Sequence, residues 1–289
     1  MVYDFQAAMR GIAAPGAAIV FEEPARSSRT QSREFGGETC LDFARHERLR
    51  SKRIGTVNRE ELREAGFILP DAPASGLAEE FRIVKRHLLV GAMSGQIEQG
   101  RIILVCSAQP NEGKTFCAVN LALSIANERD TEVLLIDADF AKPEVLSTLG
   151  LEAGPGMMDA IVDPSMDVES CVIRTDIAGL SVLPAGRHSH EVTELLASDQ
   201  GRTVLDRLAD KPSRILIFDS APALAASSSS VLAFHAGQLV MVVKADHTSE
   251  TDLREAISLL GCAEIHLLLN GVEFAASGRR FGSYYGPDS

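Results

Sequence analysis

The sequence predicts an α/β protein built on a doubly wound, mostly parallel sheet with helices on both faces. Two observations carry that expectation. From Leu77 onward, short β-rich runs alternate with helical stretches, the pattern of strand–helix–strand crossovers. Several runs, such as Ile102–Cys106 and Leu239–Val243, are apolar at almost every position, as strands are when helices cover both of their faces. Composition agrees, with 45% hydrophobic and 24% charged residues in 289, the balance of a globular chain.

In chain order, residues 1–55 show no sustained period. Stretches such as GIAAPGAA and EPARSSRTQSRE read as a flexible tail, with a short helix near Tyr3–Arg10. Asn58 followed by Arg59-Glu60-Glu61-Leu62 has the form of an N-cap and first turn, ending near Gly66. Leu69–Gly76 reads as a linker. Leu77–Leu89 carries Leu77, Phe81, Val84 and Leu88 on one helical stripe. The expected strands are Arg101–Cys106, Glu132–Ile136, Leu180–Leu183, Ile215–Phe218, Gln238–Val243 and Ile265–Leu269. The expected helices between them are Lys114–Asn127, Glu191–Ala209 and Thr248–Leu260, and Ser227–Ser230 reads as a helix start. This divides the chain into a flexible extension and linker (1–75), one α/β domain (76–271) and a mobile C-terminal tail (272–289).

Charge and cysteine usage exclude several function classes. The net charge is −12. The first 70 residues are nearly neutral, with 11 basic and 10 acidic side chains, so the acidic excess falls on the main domain. That argues against binding to a nucleic-acid backbone, which needs clustered cations. The one basic cluster, Arg45–Arg53, reads as a solvated linker. Cys40, Cys106, Cys117, Cys171 and Cys262 form no CxxC pair and read as reduced thiols in a cytoplasm. No apolar run approaches the roughly 18 residues of a membrane span, and Asp4, Arg10 and Pro15 interrupt the only N-terminal candidate for a secretory signal. His188 and His190 offer two nitrogens with no nearby Cys, and read as a solvent loop rather than a metal site.

The chemistry is concentrated after the first strand of the domain, in Ala108-Gln109-Pro110-Asn111-Glu112-Gly113-Lys114-Thr115. This is the phosphate-loop pattern with Ala in place of its first Gly. Backbone N–H groups of such a loop and of the helix that follows converge on phosphates. Gly113 allows close backbone approach, Lys114 brings charge to the β and γ phosphates, and the Thr115 hydroxyl is a Mg²⁺ ligand. Downstream, VLLIDADF places Asp137 and Asp139 at one strand end, and ILIFDSAP places Asp219 at another. Ligands of open α/β sheets bind outside the carboxyl ends of the strands, so all three carboxylates are expected to converge on the loop and organise Mg²⁺. Gln109 stands where the partitioning ATPases of this superfamily carry a second Lys, which points to another branch.

With these motifs in view, the chain resembles the bacterial tyrosine kinases of exopolysaccharide synthesis, most closely the exosortase-associated tyrosine autokinases. The resemblance runs from about Thr56 to the C-terminus through AEEFRIVKRHLL, SAQPNEGKTFCAVNLALSIANERD, VLLIDADFAKP, GLSVLPAG, ELLAS, ILIFDSAPAL, GQLVMVV and LLLNG. It implies ATP and Mg²⁺ held by Lys114 and Thr115, with Phe116 completing the nucleotide-binding stretch. It also implies Asp137 as base for a tyrosine hydroxyl, Asp139 and Asp219 around the metal and its waters, and Asn270 reading the adenine edge. Glu79, Arg82 and Lys85 match the family's oligomerisation motif, implying a homo-oligomeric ring. Tyr284 and Tyr285 would be the phosphoacceptors. The implied partner is an inner-membrane polysaccharide chain-length regulator, which would hold a cytoplasmic chain at the membrane; no nucleic acid and no metal besides Mg²⁺ are implied. Departures are Asn111 for a usual Gly, Ala141-Lys142 for a basic pair, Ala221 for a Pro, and a tyrosine cluster reduced to two. That last departure favours a second reading, a nucleotide-dependent assembly switch with slow ATPase activity, against which the missing loop Lys counts; a third, a non-catalytic scaffold of the polysaccharide machinery, has intact Lys114, Thr115, Asp137 and Asp219 against it.

Overall fold

The computed structural model describes residues 53–70, 75–262 and 264–272, which fall in one compact unit. Its centre is an eight-stranded sheet. The strands are β1 (Arg53–Gly55), β2 (Ile102–Ser107), β3 (Glu132–Ala138), β4 (Ile173–Thr175), β5 (Leu180–Leu183), β6 (Arg214–Ser220), β7 (Gln238–Lys244) and β8 (Glu264–Asn270). Their order is β1-β4-β5-β3-β6-β2-β7-β8, and every pair is parallel except β4 with β5.

The apolar runs are explained by two cores, one on each face of the sheet. Leu104, Cys106, Leu134 and Ile136 enter one core, with α5 (Met157–Val162), α6 (Val192–Ala197), α7 (Asp199–Ala209), α8 (Ser228–Ala233) and α9 (Glu250–Leu260). Their neighbours Ile103, Val105, Val133 and Leu135 enter the other, with α1 (Arg59–Glu64), α2 (Gly76–Met93), α3 (Lys114–Ala126) and α4 (Val145–Leu149). Strict alternation between two apolar faces leaves no polar position within a central strand. By the same alternation, Asp137 and Asp219 share the face of Val133, Leu135, Ile215 and Ile217, the face on which α3 packs.

The domain begins earlier than its hydrophobic pattern implies. Residues 53–70 were expected outside it, but β1 extends the sheet beside β4. The Val57 N–H donates to Asp176 Oδ1 at 2.8 Å, and the Ile68 N–H donates to Oδ1 of the fully buried Asn120 in α3 at 2.8 Å. Arg53, read as the end of a solvated cluster, donates to the carbonyls of Glu152, Ala153, Pro155 and Cys171. A three-residue strand is too short to show period-two alternation, which is why it escapes notice in the sequence. The rest of the basic cluster, Cys40, the short N-terminal helix and Tyr284–Tyr285 lie outside the described residues.

The helix expected over Glu191–Ala209 is two helices. Ser198 is extended (φ −73°, ψ 162°) and its hydroxyl accepts the Gly201 N–H at 3.0 Å, starting α7 as an N-cap. A Cβ on Gly201 would lie 2.5 Å from the carbonyls of Leu195 and Leu196, so glycine lets the two helices meet. The Asn58 cap formed as expected, its Oδ1 accepting the Glu61 N–H at 3.3 Å. No described helix is long and apolar enough to cross a membrane.

Candidate functional site

The turn between β2 and α3 is built from residues that accept unusual backbone. Asn111 has φ 63° and Gly113 φ 93°. Asn is among the few residues that tolerate the left-handed region, which accounts for Asn111 where Gly is usual. Gly113 has no substitute, because a Cβ there would lie 2.1 Å from Asn270 Nδ2. Gly113 is also the N-cap of α3 and supplies no capping side chain, so the first N–H groups of this 13-residue helix are left for an anion. Lys114 follows at once, its ammonium 3.7 Å from Asp139 Oδ2. Pro110 and Asn111 are exposed and Gln109 is half-buried. The Phe116 ring packs on Phe67 with centroids 4.9 Å apart, so its part at the site is limited to its backbone.

The acidic side of the site comes from adjacent strands. Asp137 and Asp219 are register partners on β3 and β6, which forces two carboxylates side by side beneath the start of α3. Asp137 Oδ2 accepts the Val145 N–H at 3.0 Å, while its Oδ1 is buried without a partner. Asp219 is fully buried, and neither of its oxygens has a hydrogen-bond partner of normal geometry. Burial raises the Asp137 carboxyl to about 7, and the neighbouring Asp219 charge adds to the rise. Burial likewise raises Asp219 to about 7, against the opposing pull of the nearby Thr115 hydroxyl and Lys114. Asp139 is already engaged, accepting the Lys142 N–H at 3.1 Å and facing Lys114.

Three orphaned carboxylate oxygens in a dry site are costly unless something positive meets them. Among the described residues no group of three or more His, Cys, Asp or Glu side chains forms a metal cage. The unpartnered oxygens of Asp137 and Asp219 are hard carboxylate donors of the kind that Mg²⁺ takes one or two at a time, its other positions being kept for water and phosphate.

The remaining expected residues divide. Asn270 ends β8 beside the loop, but its Nδ2 donates to the Glu112 carbonyl at 2.9 Å, leaving its Oδ1 as the group that could meet a base. Glu79 and Arg82 pair with each other on the outer face of α2. Lys85 does not join them. It is buried, donates to the Ser124 carbonyl at 3.1 Å and pairs with Glu128 at 2.6 Å, so it ties α2 to α3. His188 and His190 stack edge to face at 5.2 Å on the surface. Sequence reasoning missed Lys244 and Thr248, which reach the loop from the end of β7 and the turn beyond it. A Thr just before a Ser N-cap carries no signal that separates such a role from helix initiation.

No family model matches the chain. It is 30% identical over 225 residues to the putative tyrosine-protein kinase EpsB of Ralstonia nicotianae, covering 75% of this chain and 28% of that protein. It is 28% identical over 232 residues to the tyrosine-protein kinase YwqD of Bacillus subtilis, covering 79% of this chain and 94% of that one. The chain spans about a quarter of the length of the first curated relatives it matches. Among solved structures, the kinase domain of Escherichia coli tyrosine kinase ETK superposes with a TM-score of 0.63 at 22% identity, over 86% of this chain and 100% of that one; that likeness is one of fold. By sequence the chain is homologous to bacterial tyrosine kinases over about three quarters of its length, and it shares the fold of a kinase domain from one of them.

Proposed function

We propose that the chain is an ATP-dependent, Mg²⁺-requiring protein-tyrosine kinase that phosphorylates tyrosines in copies of itself, in the control of exopolysaccharide polymerisation and export. The observation that carries this reading is the pair Asp137 and Asp219, with orphaned oxygens directly beneath an uncapped helix start that bears Lys114 and Thr115. The loop N–H groups and Lys114 hold the phosphates, and Thr115, Asp219 and Asp139 hold the cation and its waters. Bound there, Mg²⁺ supplies positive charge to the phosphoryl group as it transfers. Asp137 accepts the proton of the tyrosine hydroxyl through Oδ1; a carboxyl raised to about 7 is matched to that task near neutral pH. Little covalent chemistry is asked of a kinase, so positioning and charge account for most of the rate. Asn270 Oδ1 meets the adenine edge.

The acceptors in this reading are Tyr284 and Tyr285, and Glu79 and Arg82 contribute to a ring of copies. A membrane-embedded chain-length regulator recruits the kinase in this reading. The test is transfer of labelled phosphate from Mg²⁺–ATP to tyrosine by the purified chain, with Lys114→Met alongside. The wild type is expected to label and the variant to lose at least about a hundredfold. Equal labelling by a folded Lys114→Met protein would refute the site assignment.

A further inference from the structure

The phosphate loop is gripped from the side of β7 and β8 by groups outside the loop motif. The Glu112 carboxylate is fully buried. Its Oε2 accepts the Gln109 N–H at 2.8 Å, closing the turn over Pro110 and Asn111. Its Oε1 accepts the hydroxyl hydrogen of Thr248. That hydroxyl in turn accepts the Lys244 N–H at 2.9 Å, so it acts as donor and acceptor at once. Two further bonds fall on loop carbonyls: Asn270 Nδ2 donates to Glu112 at 2.9 Å and Lys244 Nζ to Asn111 at 3.3 Å. Among the described residues no acceptor takes the N–H groups of Asn111, Glu112 or Gly113. The Asn111 and Glu112 carbonyls are thus occupied from the sheet, while the N–H groups of Asn111, Glu112 and Gly113 are left for a ligand.

A carboxylate inside a phosphate-binding turn has the wrong charge for the ligand, so its presence calls for a reason. We propose that Glu112 and Thr248 form a clasp that fixes the loop in its phosphate-accepting shape, which makes Thr248 a positioning residue for nucleotide binding. The clasp gives the buried carboxylate two donors and ties the turn to the β7–α9 connection. Free loop N–H groups bind phosphate well only when they converge without reorganisation. Losing the Thr248 hydroxyl would leave one buried carboxylate oxygen unpaired and let the turn relax.

The proposal rests on the nucleotide-binding reading above, and one titration separates the two. Binding of a fluorescent ADP analogue with Mg²⁺ is measured for the full chain, for Thr248→Val and for Thr248→Ser, together with the melting temperature of each without nucleotide. Thr248→Val keeps the shape of the side chain and is expected to bind about tenfold more weakly. Thr248→Ser restores the hydroxyl and is expected within about twofold of wild type. A merely structural role would lower the melting temperature and leave the affinity of the folded protein alone. Wild-type affinity in Thr248→Val, or equal weakness in Thr248→Ser, overturns the clasp while nucleotide binding stands. A wild-type chain that binds no nucleotide overturns the functional reading and the clasp with it.

Discussion

Replacing Asp219 by Asn should stabilise the nucleotide-free protein while removing its response to Mg²⁺–nucleotide. Asp219 is fully buried with both oxygens unpartnered, and its carboxyl is raised from 3.8 to about 7. A folded-state value above the unfolded one means that the native protein holds a proton which the unfolded chain has released. Wild-type stability therefore falls as pH rises from about 4 to about 7, and the ionised carboxylate costs roughly 4 kcal/mol above that window. Asn carries no charge but leaves its own buried amide poorly matched, at about 1–3 kcal/mol. The net gain at pH 8 is roughly 2 kcal/mol, or about 5 °C for a domain of this size. At pH 4–5 the gain gives way to a loss of about 1–2 kcal/mol, because the wild-type carboxyl is then largely neutral while the cost of the buried amide remains. Thermal denaturation with a chelator present, from pH 4.5 to 8.5, reads this directly. Added Mg²⁺–ADP should raise the wild-type melting temperature and leave that of Asp219→Asn unchanged. A variant destabilised equally at pH 5 and pH 8 would refute the buried-charge reasoning.

Other changes have defined outcomes. Asn111→Gly removes a left-handed Asn at φ 63°, relieving about 1 kcal/mol of strain; nucleotide affinity should stay within about threefold of wild type, and a tenfold loss would reveal a role for the Asn side chain itself. Lys85→Ala leaves the Ser124 carbonyl without its donor and should lower the melting temperature by roughly 3–6 °C. Arg82→Glu breaks only an exposed pair and should leave the melting temperature within about 1 °C. In light scattering the Arg82→Glu protein should run as a smaller particle than wild type, and an unchanged size would return Glu79 and Arg82 to the role of a solvated helix face.

The centre of this fold was legible because its physics is repetitive. Strands buried on both faces must be apolar throughout, and the phosphate loop announces itself by glycine, lysine and threonine at fixed spacing. The acidic strand ends were legible for the same reason: Asp137 and Asp219 close apolar runs. What escaped was local or long-range. The strand Arg53–Gly55 is too short to carry a period, and Ser198 looks like any serine until its hydroxyl is seen to cap a helix. Lys85 reads as a surface charge in AEEFRIVKRHLL, yet it lies one turn beyond Phe81 on the buried stripe and is drawn inward by Glu128 and the Ser124 carbonyl. The grip of Thr248 on Glu112 spans 136 residues of sequence, and no spacing rule reaches that far.

The central claim is that this site moves phosphate from ATP to tyrosine. It is tested most directly by mass spectrometry of the full chain after incubation with Mg²⁺–ATP, alone and with a membrane activator. Phosphate located on Tyr284 and Tyr285, absent from the Lys114→Met protein, is the predicted result. A chain that hydrolyses or binds ATP while all three of its tyrosines stay unmodified under both conditions would contradict it, and would mark the site as that of a nucleotide-dependent switch.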